Sequence, residues 1–147
     1  MTEADILVIP LDISRIDQHR DAFDQVISHF GQLDILVNNA GRSQRAHWLD
    51  INLELDRDLF EGNVFGLLHL TRIVLPHFLA KKKGHIAVTS SVCGKIGAPF
   101  SASYNATKHA LHVRTIFSFV HLSYRPRFPG AGFVGNWLYQ FRFSNYH

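Results

Sequence analysis

Acidic residues are missing from more than half of the chain. All twelve Asp and Glu residues lie at or before Glu61, whereas the 86 residues from Gly62 onward hold ten Lys and Arg. A basic half of this kind can indicate contact with nucleic acid or a membrane surface. The lysines are not interleaved with aromatic residues, and Lys81–Lys83 resemble the end of a helix followed by Gly84. We therefore expect no nucleic-acid partner.

Cysteine and long hydrophobic runs are also scarce. Cys93 is the single cysteine of the 147 residues, so no disulfide can form within the chain. No uninterrupted apolar run approaches the roughly 18 residues of a membrane span, and the N-terminus lacks the basic segment that begins a signal peptide. Apolar residues still make up 46% of the chain, which is enough for a globular core. The cellular location stays open.

Short runs of branched apolar residues predict three buried parallel strands. These runs are Ile6–Leu11, Ile35–Val37 and His85–Ser91. Helical periodicity between them predicts three helices, over about 16–30, over about 53–82 with a kink at Pro76, and from about residue 102. The alternation of strands and helices predicts an open parallel α/β sheet.

The last 35 residues differ from the rest. They hold ten of the eighteen aromatic residues, and Phe128–Gly132 interrupts any regular pattern. We therefore predict a divergent aromatic, basic tail over 112–147, poorly ordered, beside a domain over 1–111. Trp137, Tyr139, Phe141 and Phe143 alternate with other residues, so a strand there is the alternative.

Tyr104 and Lys108 stand four residues apart and share one face if they lie on a helix. A free tyrosine, with a pKa of about 10, is poorly matched to proton transfer at neutral pH. A lysine charge about 4 Å away is worth roughly 4 kcal/mol in a partly buried site but only about 1 kcal/mol in water. The pair is therefore useful only inside a formed site, and alone it also fits an ordinary exposed helix.

Other polar residues stand where parallel strands are predicted to end. Ser91 lies thirteen residues before Tyr104, and its hydroxyl could donate a hydrogen bond to a substrate carbonyl. Asn38–Gly41 follows the preceding strand, and Asn63 lies inside the long helix. Taken singly, these could be a turn serine, an Asn/Gly turn and a solvent-facing residue.

Together these residues resemble the short-chain dehydrogenase/reductase superfamily from roughly Asp5 to Leu111. The finer resemblance is to a branch often anchored in the endoplasmic reticulum membrane, and the matching segments are 7–12, 39–45, 74–77 and 104–111. The resemblance implies a partial Rossmann-like, doubly wound parallel sheet. It also implies an enzyme that interconverts a small-molecule carbonyl and a secondary alcohol by hydride transfer with NAD or NADP.

The resemblance further implies a catalytic tetrad of Asn63, Ser91, Tyr104 and Lys108. Tyr104 would be the general acid and base, and Ser91 would orient the carbonyl. Lys108 would favour the ionised form of Tyr104 and hold the nicotinamide ribose, while Asn63 would position a water in the proton relay. The cofactor-side residues would be Asp12, near the adenine, and Asn38, Asn39, Ala40, Gly41, Tyr104 and Lys108.

The chain departs from the family pattern at both ends. Only eleven residues precede Asp12, so the family's first two strands and its Gly-rich phosphate-binding turn are absent, as is the residue that separates NAD from NADP. The C-terminal strands are not recognisable after Leu111. We expect an alternative or truncated transcript, or a gene-model error. The alternative function is a catalytically inactive fragment that binds no cofactor, and the full-length form could be a homo-oligomer.

Ten histidines raise the question of a metal site. His109 and His112 are three residues apart, but no third ligand stands at a suitable spacing. We expect no metal.

Overall fold

The computed structural model describes residues 5–123 and 138–143, with side chains from 5 to 112. Its regular elements follow one another in the order helix, strand, two helices, strand, helix, strand. They are α1 (His19–Phe30), β1 (Ile35–Asn38), α2 (Leu53–Phe60), α3 (Gly66–Lys81), β2 (Gly84–Thr89), α4 (Ala102–Ser123) and β3 (Leu138–Phe143). Three short 3₁₀ turns lie at Ile16–Gln18, Trp48–Asp50 and Val92–Gly94.

The sheet is built on two parallel strands. Ile35 of β1 stands opposite His85 of β2, and the register continues to Asn38 opposite Val88. The parallel pair and its crossover helices form a partial Rossmann fold, which confirms the predicted fold class. The carboxyl ends of β1 and β2 lie at one edge of the sheet, where ligands of such folds bind.

The run Ile6–Leu11 forms no strand, and the sequence prediction was wrong here. In this run the backbone has no regular hydrogen-bonded structure. The side chains of Ile6 and Val8 are 49% and 83% exposed. A strand exists only through hydrogen bonds to a neighbour, and no described strand lies beside this run. β1 is an outer strand of the sheet, because no other described strand than β2 pairs with it. Its residues Ile35 and Val37 are about half exposed.

The predicted long helix is confirmed as one continuous helical stretch from Leu53 to Lys81. Asn52 caps its start, because its side-chain oxygen accepts from the Leu55 backbone N–H at 2.8 Å. A π-helical turn at Glu61–Phe65 joins α2 to α3. By length and composition this helix could cross a membrane, a test that core helices of soluble proteins also pass.

The third strand comes from the tail. β3 pairs antiparallel with β2, placing Phe143 opposite Gly84 and Leu138 opposite Thr89. The expectation of a tail without regular structure is therefore wrong at 138–143, where the aromatic alternation indicated the strand. α4 also continues past residue 112 to Ser123. The remaining tail residues, 124–137 and 144–147, lie outside the described residues, and the predicted division at 111 stays a prediction.

The core lies between the parallel strands and their helices. Its buried residues are Leu67, Val74, Phe78, Ile86, Val88 and Leu111. The first residue of β2, Gly84, lies against the Phe78 ring, and a Cβ at this position would overlap the ring. The sequence therefore needs a glycine where the strand crosses the end of α3.

We expect Phe78→Ala to destabilise the protein by about 3–5 kcal/mol, since it opens a cavity at the centre of the core. Leu79→Ala is the matched control, because Leu79 is the next residue of α3 and is 52% exposed. It should change the free energy of unfolding by about 0.5 kcal/mol or less. Urea denaturation measures both, and equal effects would contradict the assigned core.

Candidate active site

The carboxamide of Asn63 is the best-bonded polar group of the site. Asn63 is fully buried, and its Oδ1 accepts from the Arg42 backbone N–H at 2.8 Å. Its Nδ2 donates to the Arg42 carbonyl at 2.8 Å and to Thr107 Oγ1 at 3.1 Å. One amide thus joins the loop after β1 to α4, and both hydrogens of Nδ2 are in use.

The π-helical turn accounts for the placement of Asn63 inside a long helix. In Glu61–Phe65 the backbone hydrogen bonds span one residue more than in an α-helix, which interrupts the regular hydrogen-bond ladder. Such turns in helices often occur at functional sites. Asn63 and Val64 are buried within it. The interpretation of Asn63 as solvent-facing is excluded.

Gly41 brings three parts of the site together. A Cβ at Gly41 would stand 3.1 Å from Asn63 Oδ1 and 3.5 Å from Lys108 Nζ. The predicted residues Gly41, Asn63 and Lys108 therefore meet at one point, although they come from the loop after β1, the π-helical turn and α4. A larger residue at 41 would press on an amide that three hydrogen bonds already fix.

Lys108 is only 4% exposed, and its ammonium donates to the Thr89 carbonyl at 3.2 Å. Burial lowers the pKa of Lys108, because desolvation disfavours the charged form. An ammonium carries three hydrogens. Among the described residues, the backbone carbonyl of Thr89 is the one acceptor that the Lys108 ammonium contacts, so the ammonium retains hydrogens that can face a ligand.

Tyr104 lies one helical turn before Lys108 on α4, as the spacing predicted. The Lys108 ammonium lies 5.8 Å from the centre of the Tyr104 ring. The start of α4 is held to α2, because Ser103 Oγ donates to Asp56. Thr107 Oγ1 donates to the Tyr104 carbonyl at 2.8 Å, which links the Tyr104 backbone to Asn63 through Thr107.

Ser91 lies two residues beyond β2, at the carboxyl edge of the sheet. Its backbone is extended, and its Oγ accepts from the Cys93 N–H at 3.2 Å at the start of the Val92–Gly94 turn. This contact uses a lone pair of the hydroxyl and leaves its hydrogen available for donation. Ser91 can therefore accept a hydrogen bond within the turn and still donate one to a substrate.

Within the Asn38–Gly41 segment, the first residue has a structural role and the next two are exposed. Asn38 is 4% exposed, and its Nδ2 donates to Thr71 Oγ1 of α3 at 2.8 Å. Its side chain thus fastens β1 to α3. Asn39 and Ala40 are exposed at the sheet edge.

Asp12 and Asn63 line the same cleft. Its carboxylate accepts from the backbone N–H and the hydroxyl of Ser14, at 2.9 and 2.7 Å. These bonds lower the pKa of Asp12, the hydroxyl contributing most. The cleft has a volume of about 490 Å³, and its lining residues include Asp12, Ser14, Gly41, Arg42 and Asn63.

Sequence reasoning missed the residues that connect the site. Thr107, which is fully buried, and Thr71 join predicted site residues to helices. Their small hydroxyl side chains gave no signal beyond their helical positions. Within the described part of the chain, Gln44 and Ser90 carry buried polar side-chain atoms without a hydrogen-bond partner. Among the side chains of residues 5–112, no three from His, Cys, Asp or Glu are grouped to hold a metal ion.

A family model described as short chain dehydrogenase matches residues 1–116. Dehydrogenase/reductase SDR family member 7 of Mus musculus is 41% identical over 133 residues, which is 90% of this chain and 38% of that protein. The Homo sapiens protein of the same name is 45% identical over 111 residues, or 76% of this chain and 33% of that protein. The chain therefore spans little more than a third of these relatives.

Solved structures show the same likeness. A short chain dehydrogenase/reductase from Burkholderia phymatum in complex with NAD has a TM-score of 0.79 and 28% identity, over 83% of this chain and 44% of that one. ElxO with NADP bound has a TM-score of 0.77 and 28% identity, over 82% of this chain and 49% of that one.

We expect Asn63→Ala to destabilise the protein by more than about 2 kcal/mol. The change leaves the backbone groups of Arg42 and the hydroxyl of Thr107 without their partner, and each buried unsatisfied group costs about 1–3 kcal/mol. Asn39→Ala, at an exposed asparagine of the same sheet edge, should stay within about 0.5 kcal/mol. Chemical denaturation of both variants tests this, and similar losses would show that the Asn63 amide does not hold the site together.

Proposed function

Since the chain belongs to the short-chain dehydrogenase family, we propose that its site interconverts a carbonyl and a secondary alcohol by hydride transfer with NAD or NADP. The observation that carries the proposal is the meeting of Gly41, Asn63 and Lys108 one helical turn from Tyr104. The NAD and NADP complexes of the similar Burkholderia protein and ElxO support the choice of cofactor class.

The described residues fit the nicotinamide side of such a cofactor. Lys108 has two hydrogens beyond the one it gives to Thr89, and ribose hydroxyls are suitable acceptors. Asp12, in the cleft that Asn63 also lines, presents a carboxylate that can accept from hydroxyl or amino groups on the adenosine side. NAD or NADP, when bound, supplies or accepts the hydride.

Tyr104 is the proton donor in the reducing direction. Its phenolic proton passes to the carbonyl oxygen as that oxygen gains the electron pair displaced by the hydride. In the oxidising direction the phenolate takes the proton back from the alcohol. The Lys108 ammonium lies one helical turn away on α4, 5.8 Å from the centre of the Tyr104 ring.

Ser91 and Asn63 assist in different ways. The Ser91 hydroxyl has a free hydrogen that it can donate to the substrate oxygen, and this hydrogen bond orients that oxygen toward Tyr104. Asn63 has no free N–H, so it can hold a relay water only as an acceptor, through the second lone pair of Oδ1.

A second candidate is a chain that adopts this site but binds no cofactor. The position of β1 favours it, because β1 is an outer strand of the described sheet, on the side where the family's first strand would pair. Ile6–Leu11 does not cover that edge.

Transfer of deuterium separates the two candidates. The chain is mixed with millimolar NADH or NADPH, deuterated at the transferring position, and a panel of ketones and aldehydes. We expect deuterium on the carbinol carbon of the product, detected by mass spectrometry. Tyr104→Phe should lower this transfer about a hundredfold to ten-thousandfold, since the phenyl ring has no proton to give.

The control is cofactor binding, which Tyr104→Phe should leave almost unchanged because the ring keeps its shape. A variant that retains more than about a tenth of the transfer would exclude Tyr104 as the acid. If the unaltered chain transfers no deuterium to any carbonyl, the second candidate holds for this chain.

A further inference from the structure

Gln44 lies in the loop that follows β1, and its side-chain amide is buried without a hydrogen-bond partner. Neither Nε2 nor Oε1 of Gln44 is open to solvent, and neither makes a hydrogen bond within the part of the chain that the structure describes. Such an amide can donate two hydrogen bonds and accept two. Most buried polar groups are paired, because an unpaired one destabilises the fold. The exceptions reflect strain, a bound water or a functional role.

Both ends of the loop that carries Gln44 are fixed to the candidate active site. At one end the backbone of Arg42 makes two hydrogen bonds to the Asn63 amide, each of 2.8 Å. At the other end the Ala46 N–H donates to the Phe100 carbonyl at 2.9 Å. Gln44 is two residues from each anchor, so its backbone lies within about 7 Å of both. It therefore stands between Asn63 and the loop that leads into α4.

The loop before α4 meets the Gln44 loop at a strained residue. Phe100 has a φ of 60°, which is costly for a residue with a side chain, and such strain clusters at functional sites. The hydrogen bond from Ala46 holds it, as does the edge-on packing of the Phe100 ring against His47, with ring centres 4.9 Å apart. The two loops are therefore joined into one wall. Phe100 is four residues before Tyr104, so this wall leads directly to the proposed proton donor.

We propose that Gln44 is a specificity-determining residue whose amide binds a second polar group of the carbonyl substrate. The class of ligand is a carbonyl compound that also carries a hydroxyl or a second carbonyl. A hydroxyl can pair with either atom of the amide, and a carbonyl can accept from Nε2. The proposal rests on the proposed function for the place of the reacting carbonyl, which lies between Ser91 and Tyr104. The unpaired amide itself depends on no cofactor.

Burial of the amide makes it discriminate between ligands. A hydrogen bond from an ordinary exposed amide replaces one to water, so the net gain on binding is small. The Gln44 amide has already lost its water on folding, and a ligand that pairs with it gains the bond without that loss on the protein side. An analogue without the second polar group leaves the amide unpaired. We therefore expect the polar analogue to bind about tenfold or more tightly.

Binding of matched ketones tests the proposal without any enzymatic activity. Cyclohexanone is compared with its derivative that carries a hydroxyl on the opposite ring carbon, and butanone with acetoin, whose hydroxyl is next to the carbonyl. Ligand-observed NMR gives the dissociation constants, for the chain alone and with millimolar NADH. We expect the hydroxylated member of at least one pair to bind about tenfold or more tightly. Equal binding within both pairs, or no binding of any ketone, would overturn the proposal.

Gln44→Met is the decisive variant, because it removes the polar atoms and nearly keeps the length of the side chain. The preference for the hydroxylated ketone should disappear. Gln32→Met is the matched control, since the Gln32 amide is already paired with Asp34 and Lys81. It should keep the preference. A preference that persists in Gln44→Met would show that another group binds the hydroxyl, and the proposal would be wrong.

Urea denaturation of the same variants tests whether the amide is unpaired before a ligand binds. We expect Gln44→Met to leave the urea midpoint unchanged or to raise it, because no hydrogen bond is lost. Gln32→Met breaks two hydrogen bonds and should not raise it. A midpoint that falls in Gln44→Met would show that a bound water pairs the amide in the folded chain. That result would overturn the role in ligand binding.

The binding result is separate from hydride transfer. If the chain transfers no hydride but prefers the hydroxylated ketone through Gln44, the proposed function fails and the role of Gln44 in binding stands. If hydride transfer is found without that preference, Gln44 has no such role.

Discussion

The site depends on one buried amide. Asn63 is a fully buried polar side chain, and it is tolerated only because its hydrogen-bonding groups find partners on two other elements. Those partners fix the loop that carries Gly41 and the helix that carries Tyr104 and Lys108. The π-helical turn, the glycine at 41 and the buried threonine at 107 all serve this contact. Without it, the loop that carries Gly41 would lose its side-chain hydrogen bonds to the long helix.

A second constraint arises from the sheet. β1 and β2 place Asn38 and Ser91 at the same edge, and their parallel register requires no other strand. The side chains of Asn38 and Ser91 each make a hydrogen bond to a nearby described residue. The open face of β1 is different, since its exposed Ile35 and Val37 are residues that other parallel sheets cover. In the family fold, the strand that leads into the phosphate-binding turn lies beside this strand.

The sequence predicted features that are local or that repeat with a period. The spacing of Tyr104 and Lys108, the strands β1 and β2 and the long helix are of this kind, and the structure contains each of them. It could not predict features that depend on a partner far along the chain. Ile6–Leu11 has the composition of a strand, but pairing needs a neighbour. The bond from Asn38 to Thr71 and the contact between His19 and His69 each join residues more than thirty positions apart.

We propose that the described residues assemble the chemistry of a dehydrogenase site but do not themselves grip the cofactor phosphates. The eleven residues given before Asp12 contain no glycine, and a Gly-rich turn is what lets a backbone approach a pyrophosphate. The most direct test is a titration of the purified chain with NADH and NADPH, followed by nicotinamide fluorescence. The account predicts dissociation constants near or above the millimolar range, a binding free energy of roughly −4 kcal/mol or weaker. A dissociation constant of a few micromolar for either nucleotide would contradict it.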